Sequence, residues 1–130
     1  MNIYLDIDKT LITKDLLMAN HLKDFLIKAL KKHNVYWLTT HCKGDATYTI
    51  YHLRDIVPDD VMELVKQVKP TNWSYAKTDA IDFSKDFIWL DDYIFENEKE
   101  VLKKHNKNSS WIQMDLVNNP DQLLDIIKLL

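Results

Sequence analysis

The sequence predicts a single α/β domain, a central parallel sheet with helices packed on its faces. Three observations predict it. Short candidate strands recur along the chain at Asn2–Asp6, Val35–Leu38, Phe87–Leu90 and Ser110–Met114. Segments with helical apolar spacing lie between them, and strands alternating with helices imply a parallel sheet with right-handed crossovers. The strands are rich in Ile, Val, Leu and Trp, which predicts burial on both faces. A chain of 130 residues is one domain by length.

Taken in order, Ile3-Tyr4-Leu5 reads as a first strand ending at Asp6. Helical periodicity is expected from Asp15 to His33, with Leu16, Leu17, Ala19, Leu22, Phe25, Leu26, Ala29 and Leu30 on one broad face. Val35 to Leu38 is the second strand. Asp45 to Leu53 reads as a helix. Pro58 with Asp59 and Asp60 marks a helix start, and Pro70 stops that helix near Lys69. Lys77 to Ile81 is a short helix, Phe87 to Leu90 a strand, and Asn97 to His105 a helix. Ser110 to Met114 is the last strand, and Pro120 opens a final helix to Leu130. Trp37, Trp89 and Trp111 lie inside strands and are expected in the core.

Bulk properties narrow the function classes. Apolar residues make up 46% of the chain, as in globular proteins. The net charge of −3 gives no bulk attraction to nucleic acid or anionic lipid. The Lys31-Lys32-His33 and Lys103-Lys104-His105 clusters fall near helix C-termini, where cations complement the dipole. Cys42 is the one cysteine, so no internal disulfide can form. No apolar run reaches the ~18 residues of a membrane span, and Asp6 interrupts the N-terminus too early for a secretory signal. A cytoplasmic location is therefore expected. With Gly44 the only glycine, no glycine-rich phosphate loop is possible.

The chemistry-bearing residues sit where strands end. Asp6-Ile7-Asp8-Lys9-Thr10 follows the first strand, Thr39 the second, and Asp91-Asp92 the third, while Lys77 opens the short helix between. In open parallel sheets the site lies at the carboxyl ends of the strands, an independent reason to group Asp6, Thr39 and Asp91. Thr40 replaces Thr39 if the strand runs one residue further, and Lys85 is the alternative to Lys77. Several carboxylates at one edge need cations. Two unit charges ~4 Å apart interact by ~4 kcal/mol at an effective dielectric of 20. Without a metal and a lysine, some of these acids would protonate.

The order acid pair, threonine, lysine, acid pair resembles the haloacid dehalogenase-like phosphotransferases over roughly residues 3 to 92. The resemblance implies a three-layer Rossmann-like fold and phosphoester hydrolysis. Asp6 would attack phosphorus and form an aspartyl phosphate, and Asp8 would act as general acid and then base. Thr39 would donate to a phosphoryl oxygen, and Lys77 would neutralise Asp6 and the transferring group. The resemblance also implies Mg2+ held by the Asp6 carboxylate, the Asp8 carbonyl, Asp91 and Asp92. Acids alone do not choose among magnesium, manganese and calcium. Lys9 stands where many relatives carry glycine, which places a cation at the entrance. About eight residues separate Asp8 from the expected first helix, and residues 41–75 hold little more than two helices. A member without a substantial cap domain is expected, with Lys9, His41, Trp73 and Tyr75 on the rim. Its partner would be a phosphorylated substrate, which an uncapped site allows to be large, or a second copy covering the site. The alternative is a catalytically weak or inactive domain of the same fold that binds a metal or a phosphorylated partner in a regulatory role.

Three other chemistries fail on residues. Leu11-Ile12 replaces the Gly-Thr that follows the phosphorylated motif of ion-pumping ATPases. Tyr48 and Thr49 stand where a cysteine phosphatase built on Cys42 needs arginine. A response-regulator receiver would place its phosphorylated acid after a middle strand, between the acid pair and the threonine.

Overall fold

Side chains that alternate along each strand enter two separate cores, and this sets the layers. The computed structural model describes residues 1–130. Its elements are β1 (Asn2–Leu5), α1 (Leu22–Lys32), β2 (Asn34–Trp37), α2 (Thr47–Leu53), α3 (Asp59–Val65), β3 (Phe87–Asp91), α4 (Glu96–Lys104), β4 (Trp111–Gln113) and α5 (Gln122–Ile127). Short 3-10 turns cover Lys77–Ala80 and Asn108–Ser110. The strands form one all-parallel sheet in the order β2-β1-β3-β4. In β1, Leu5 lies opposite Trp37 and Leu90, and Tyr4 opposite Tyr36 and Trp89.

One sheet face presents Ile3, Leu5, Val35, Trp37 and Leu90 to Phe25 and Leu26 of α1, Val61 and Val65 of α3, and Leu123 and Ile126 of α5. The other presents Tyr4, Phe87 and Trp89 to Leu102 of α4 and to Ile81 and Ile94. Burying both faces removes the sheet's apolar surface from water, the main favourable term in folding. Trp37 and Trp89 are fully buried, as expected. Trp111 is half-buried, and its indole N–H donates to the Asp91 carbonyl at 3.1 Å. The basic pairs Lys31-Lys32 and Lys103-Lys104 occupy the last turns of α1 and α4, as the dipole argument requires. No helix is long and apolar enough to cross a membrane.

The final helix is shorter than expected, Gln122–Ile127 rather than Pro120 to Leu130, and two other elements depart further from the sequence reading. The first helix begins at Leu22, not near Asp15. Residues 11–19 form a small hairpin instead: Ile12 pairs antiparallel with Met18, and the Ala19 amide donates to the Leu11 carbonyl at 2.9 Å. The Thr13 hydroxyl accepts the amides of Asp15 and Leu17, at 3.3 and 3.2 Å. Local side-chain bonds of this kind compete with a helix for the backbone donors. Leu16 takes a left-handed φ of 61° at the tip, and Leu16 and Leu17 are exposed where a buried helical face was expected. The third helix ends at Val65, short of Lys69. Lys69 instead bridges in parallel to Tyr36, exchanging backbone bonds of 2.8–2.9 Å with Trp37 and Val35 along the free edge of β2. Pro70 still ends regular structure, but a strand partner claimed the residue before it.

Candidate active site

The carboxyl edge of the sheet gathers acids because the strands stop in register. The Asp6 amide donates to the Leu90 carbonyl at 3.0 Å, one residue past β1, so Asp6 and Asp91 leave the sheet side by side. Lys77 arrives from the 3-10 turn. Its ammonium lies 2.7 Å from Asp91 Oδ2 and 3.5 Å from Asp6 Oδ1. All three side chains are largely buried, Asp91 almost completely. Asp92 completes the group: one oxygen from each of Asp6, Asp91 and Asp92 falls within 4.8 Å of the others.

Three carboxylates face one ammonium, and the titration reflects the imbalance. Burial, and then the charge of Asp6, raise the Asp91 carboxyl to about 8 against the pull of Lys77. Burial and Asp6 also raise Asp92. Desolvation works against the Lys77 ammonium, but Asp6, Asp91 and Glu98 outweigh it and raise its pKa. The lysine therefore stays charged at neutral pH, and Asp91 and Asp92 hold a proton more tightly than ordinary carboxylates do. A hard dication could take that proton's place. The all-oxygen donor set of Asp6, Asp91 and Asp92 fits magnesium-class ions, which favour carboxylates and keep waters.

The segment that delivers Lys77 is fixed by Glu98, a residue the sequence reading did not single out. Glu98 is buried on the first turn of α4. One of its oxygens accepts the Lys77 amide at 2.9 Å, the other the Phe95 amide at 3.0 Å. A single carboxylate thus caps α4 and holds the backbone of the lysine. The detectable signal was an acid three residues after a helix boundary, the capping position. Asp91 does not cap α4; its Oδ1 accepts the nearby Tyr93 amide at 3.2 Å.

Asp8 and Thr39 make no hydrogen bond to this cluster. The Asp8 carboxylate lies between two imidazoles, with His41 Nε2 2.9 Å from Oδ2 and His52 Nε2 3.1 Å from Oδ1. Burial works to raise Asp8, but the hydrogen bonds and charges of His41 and His52 outweigh it and hold it below the usual carboxylate range. His52, on α2, was not anticipated; His41 was expected only on the rim. Thr39 is fully buried, and its hydroxyl accepts the His41 amide at 3.4 Å. Thr40 is exposed beside Lys77.

Two openings border the cluster. Asp92 borders a cavity of about 700 Å³ between the 11–19 hairpin and the chain after β4, where Lys9, Lys14, Leu17 and Gln113 also line it. Lys77 borders a smaller one of about 110 Å³ with Trp73, Tyr75, Tyr93 and Phe95. Lys9 and Trp73 with Tyr75 therefore reach the cluster through different cavities, Lys9 beside Asp92 and the aromatics beside Lys77. Comparison with family models, curated proteins and solved structures finds no match to this chain.

Proposed function

We propose that the protein is a magnesium-dependent phosphoester hydrolase of the haloacid dehalogenase-like type, working through an aspartyl phosphate on Asp6. The observation that carries this reading is the Lys77 ammonium set between Asp6 and Asp91, three residues from separate segments meeting at the carboxyl edge of a parallel sheet. Lys77 neutralises charge on Asp6 and on the transferring phosphoryl group. An Asp6 oxygen bonds to phosphorus, the ester oxygen leaves, and a proton from Asp8 neutralises it. Water then attacks the aspartyl phosphate, gives a proton back to Asp8, and frees inorganic phosphate and Asp6. A magnesium ion held by Asp6, Asp91, Asp92 and the Asp8 carbonyl would supply charge neutralisation of the phosphoryl oxygens. Thr39 is the proposed phosphoryl donor, its hydroxyl hydrogen being left free by a bond in which it accepts. The domain is read as capless, so a large phosphorylated substrate can enter, or a second copy of the chain can cover the site.

The test is hydrolysis of an activated aryl phosphate by the purified protein with and without magnesium. Turnover should need the metal and disappear in Asp6→Asn. Near wild-type turnover in Asp6→Asn would remove the nucleophile assignment. One observation favours the second reading, a regulatory domain that binds a metal or phosphorylated partner without turnover. Asp8 is held ionised by two imidazoles, the wrong protonation state for a general acid. Magnesium-linked stabilisation without hydrolysis of any phosphoester would select it.

A further inference from the structure

The histidines on Asp8 form a donor set of their own. We propose that Asp8, His41 and His52 are a binding site for a transition-metal dication of the zinc class, separate from the carboxylate cluster. Three segments supply it: the turn after β1, the loop after β2, and α2. The two imidazole rings stack at 4.1 Å and 11°, and both turn Nε2 toward the same carboxylate. The candidate donor atoms all lie within 4.8 Å of one another. The Nε2-to-oxygen spacings of 2.9 and 3.1 Å are near the ~3.3 Å between two ligands that each sit ~2.0–2.1 Å from a tetrahedral zinc. To admit the ion the two rings must tilt out of their stack so that both Nε2 lone pairs converge on it, with Asp8 moving outward.

Donor chemistry separates this site from its neighbour. Two imidazoles and one carboxylate suit zinc, cobalt and nickel, whereas magnesium prefers oxygen alone. Asp8 is half exposed and both histidines about a quarter exposed, which leaves an entry path and room for water ligands. Neither Nε2 has another protein partner. An ion here would occupy the Asp8 carboxylate and so brake proton transfer by that residue. That consequence rests on the hydrolase reading; the site itself does not.

The test is titration of the full-length protein with Co2+, read by visible absorption, which needs no turnover. One equivalent should bind with bands more intense than those of the aqueous ion. Millimolar magnesium should leave the signal in place, which decides between the two sites in the unmutated protein. Losing an outer-shell partner of a metal ligand typically costs ~10–100-fold in affinity, so His41→Gln and His52→Gln should each weaken binding at least that much. Asp91→Asn should keep it. Absence of a saturable signal would mean that the histidines only clamp Asp8 by hydrogen bonds. Loss of the signal with magnesium or in Asp91→Asn would place the ion among Asp6, Asp91 and Asp92. Either result overturns the proposal, as does binding that survives both histidine variants.

Discussion

Replacing Asp91 with asparagine should stabilise the metal-free protein in alkali and leave it nearly unchanged in acid. The Asp91 carboxyl is raised from 3.8 to about 8 by burial and by Asp6. A carboxyl raised on folding contributes stability that is full below the unfolded pKa and lost as pH climbs through the folded one. The loss therefore runs from about pH 4 to about pH 8. Each pKa unit is ~1.4 kcal/mol, so the rise from 3.8 to about 8 sets a ceiling of about 6 kcal/mol. Asp91 and Asp92 are both raised and titrate together, so the part removed by one substitution is closer to half, ~3 kcal/mol. For a chain of 130 residues, ~1 kcal/mol moves the melting temperature by ~4 °C. Asp91→Asn should thus melt ~10 °C above the wild type at pH 9 in chelator, with the gap closing by pH 5. Urea unfolding across that range gives the free energies directly. Magnesium should close the gap at pH 9, since saturation at ~100 times the dissociation constant adds ~2.7 kcal/mol to a protein that binds it and little to the variant. A variant less stable than wild type by the same margin at pH 5 and pH 9 would refute the reasoning, because the cost of a charged Asp91 would then be absent.

Three further outcomes follow from the same geometry. Lys77→Met leaves Asp6 and Asp91 without their cation, and breaking a buried pair costs ~3–5 kcal/mol; urea unfolding at neutral pH should show it, and adding Asp91→Asn should recover part of the loss. Glu98→Ala orphans the Lys77 and Phe95 amides at ~1–3 kcal/mol for a buried unsatisfied group, and hydrogen exchange should report faster opening around Lys77 than at β1. With an activated aryl phosphate, acid quench should trap labelled phosphoenzyme in Asp8→Ala, slowed ~10²–10⁴-fold in turnover, and none in Asp6→Asn; equal loss in both would deny the two acids separate roles.

Asp6, Asp91 and Asp92 were legible in the sequence because a parallel sheet puts strand ends at one edge, whatever packs around it, whereas Lys77 was joined to them only by the order of the motifs. Tyr4 and Trp89 facing one core, with Leu5 and Leu90 facing the other, follow from the two-residue period of extended chain. Leu16 and Leu17 misled for a definite reason. Apolar spacing cannot tell a helix face from a hairpin tip when a threonine hydroxyl captures the local amides. Lys69 misled because propensity says nothing of an edge strand waiting for a partner.

What the sequence by itself determined is therefore the alternation of strands and helices, the two-faced burial and the acids at the strand ends, all of which depend on periodicity and local chemistry. Only the tertiary structure decided which side chains touch. Glu98 reaches Lys77 across 21 positions, and His41 and His52 reach Asp8 across 33 and 44. Those contacts are set by how α2 and α4 pack beside the sheet. The ionic state of the site depends on them too, because burial and neighbouring charge, which fix a carboxyl's pKa, exist only once the chain has folded.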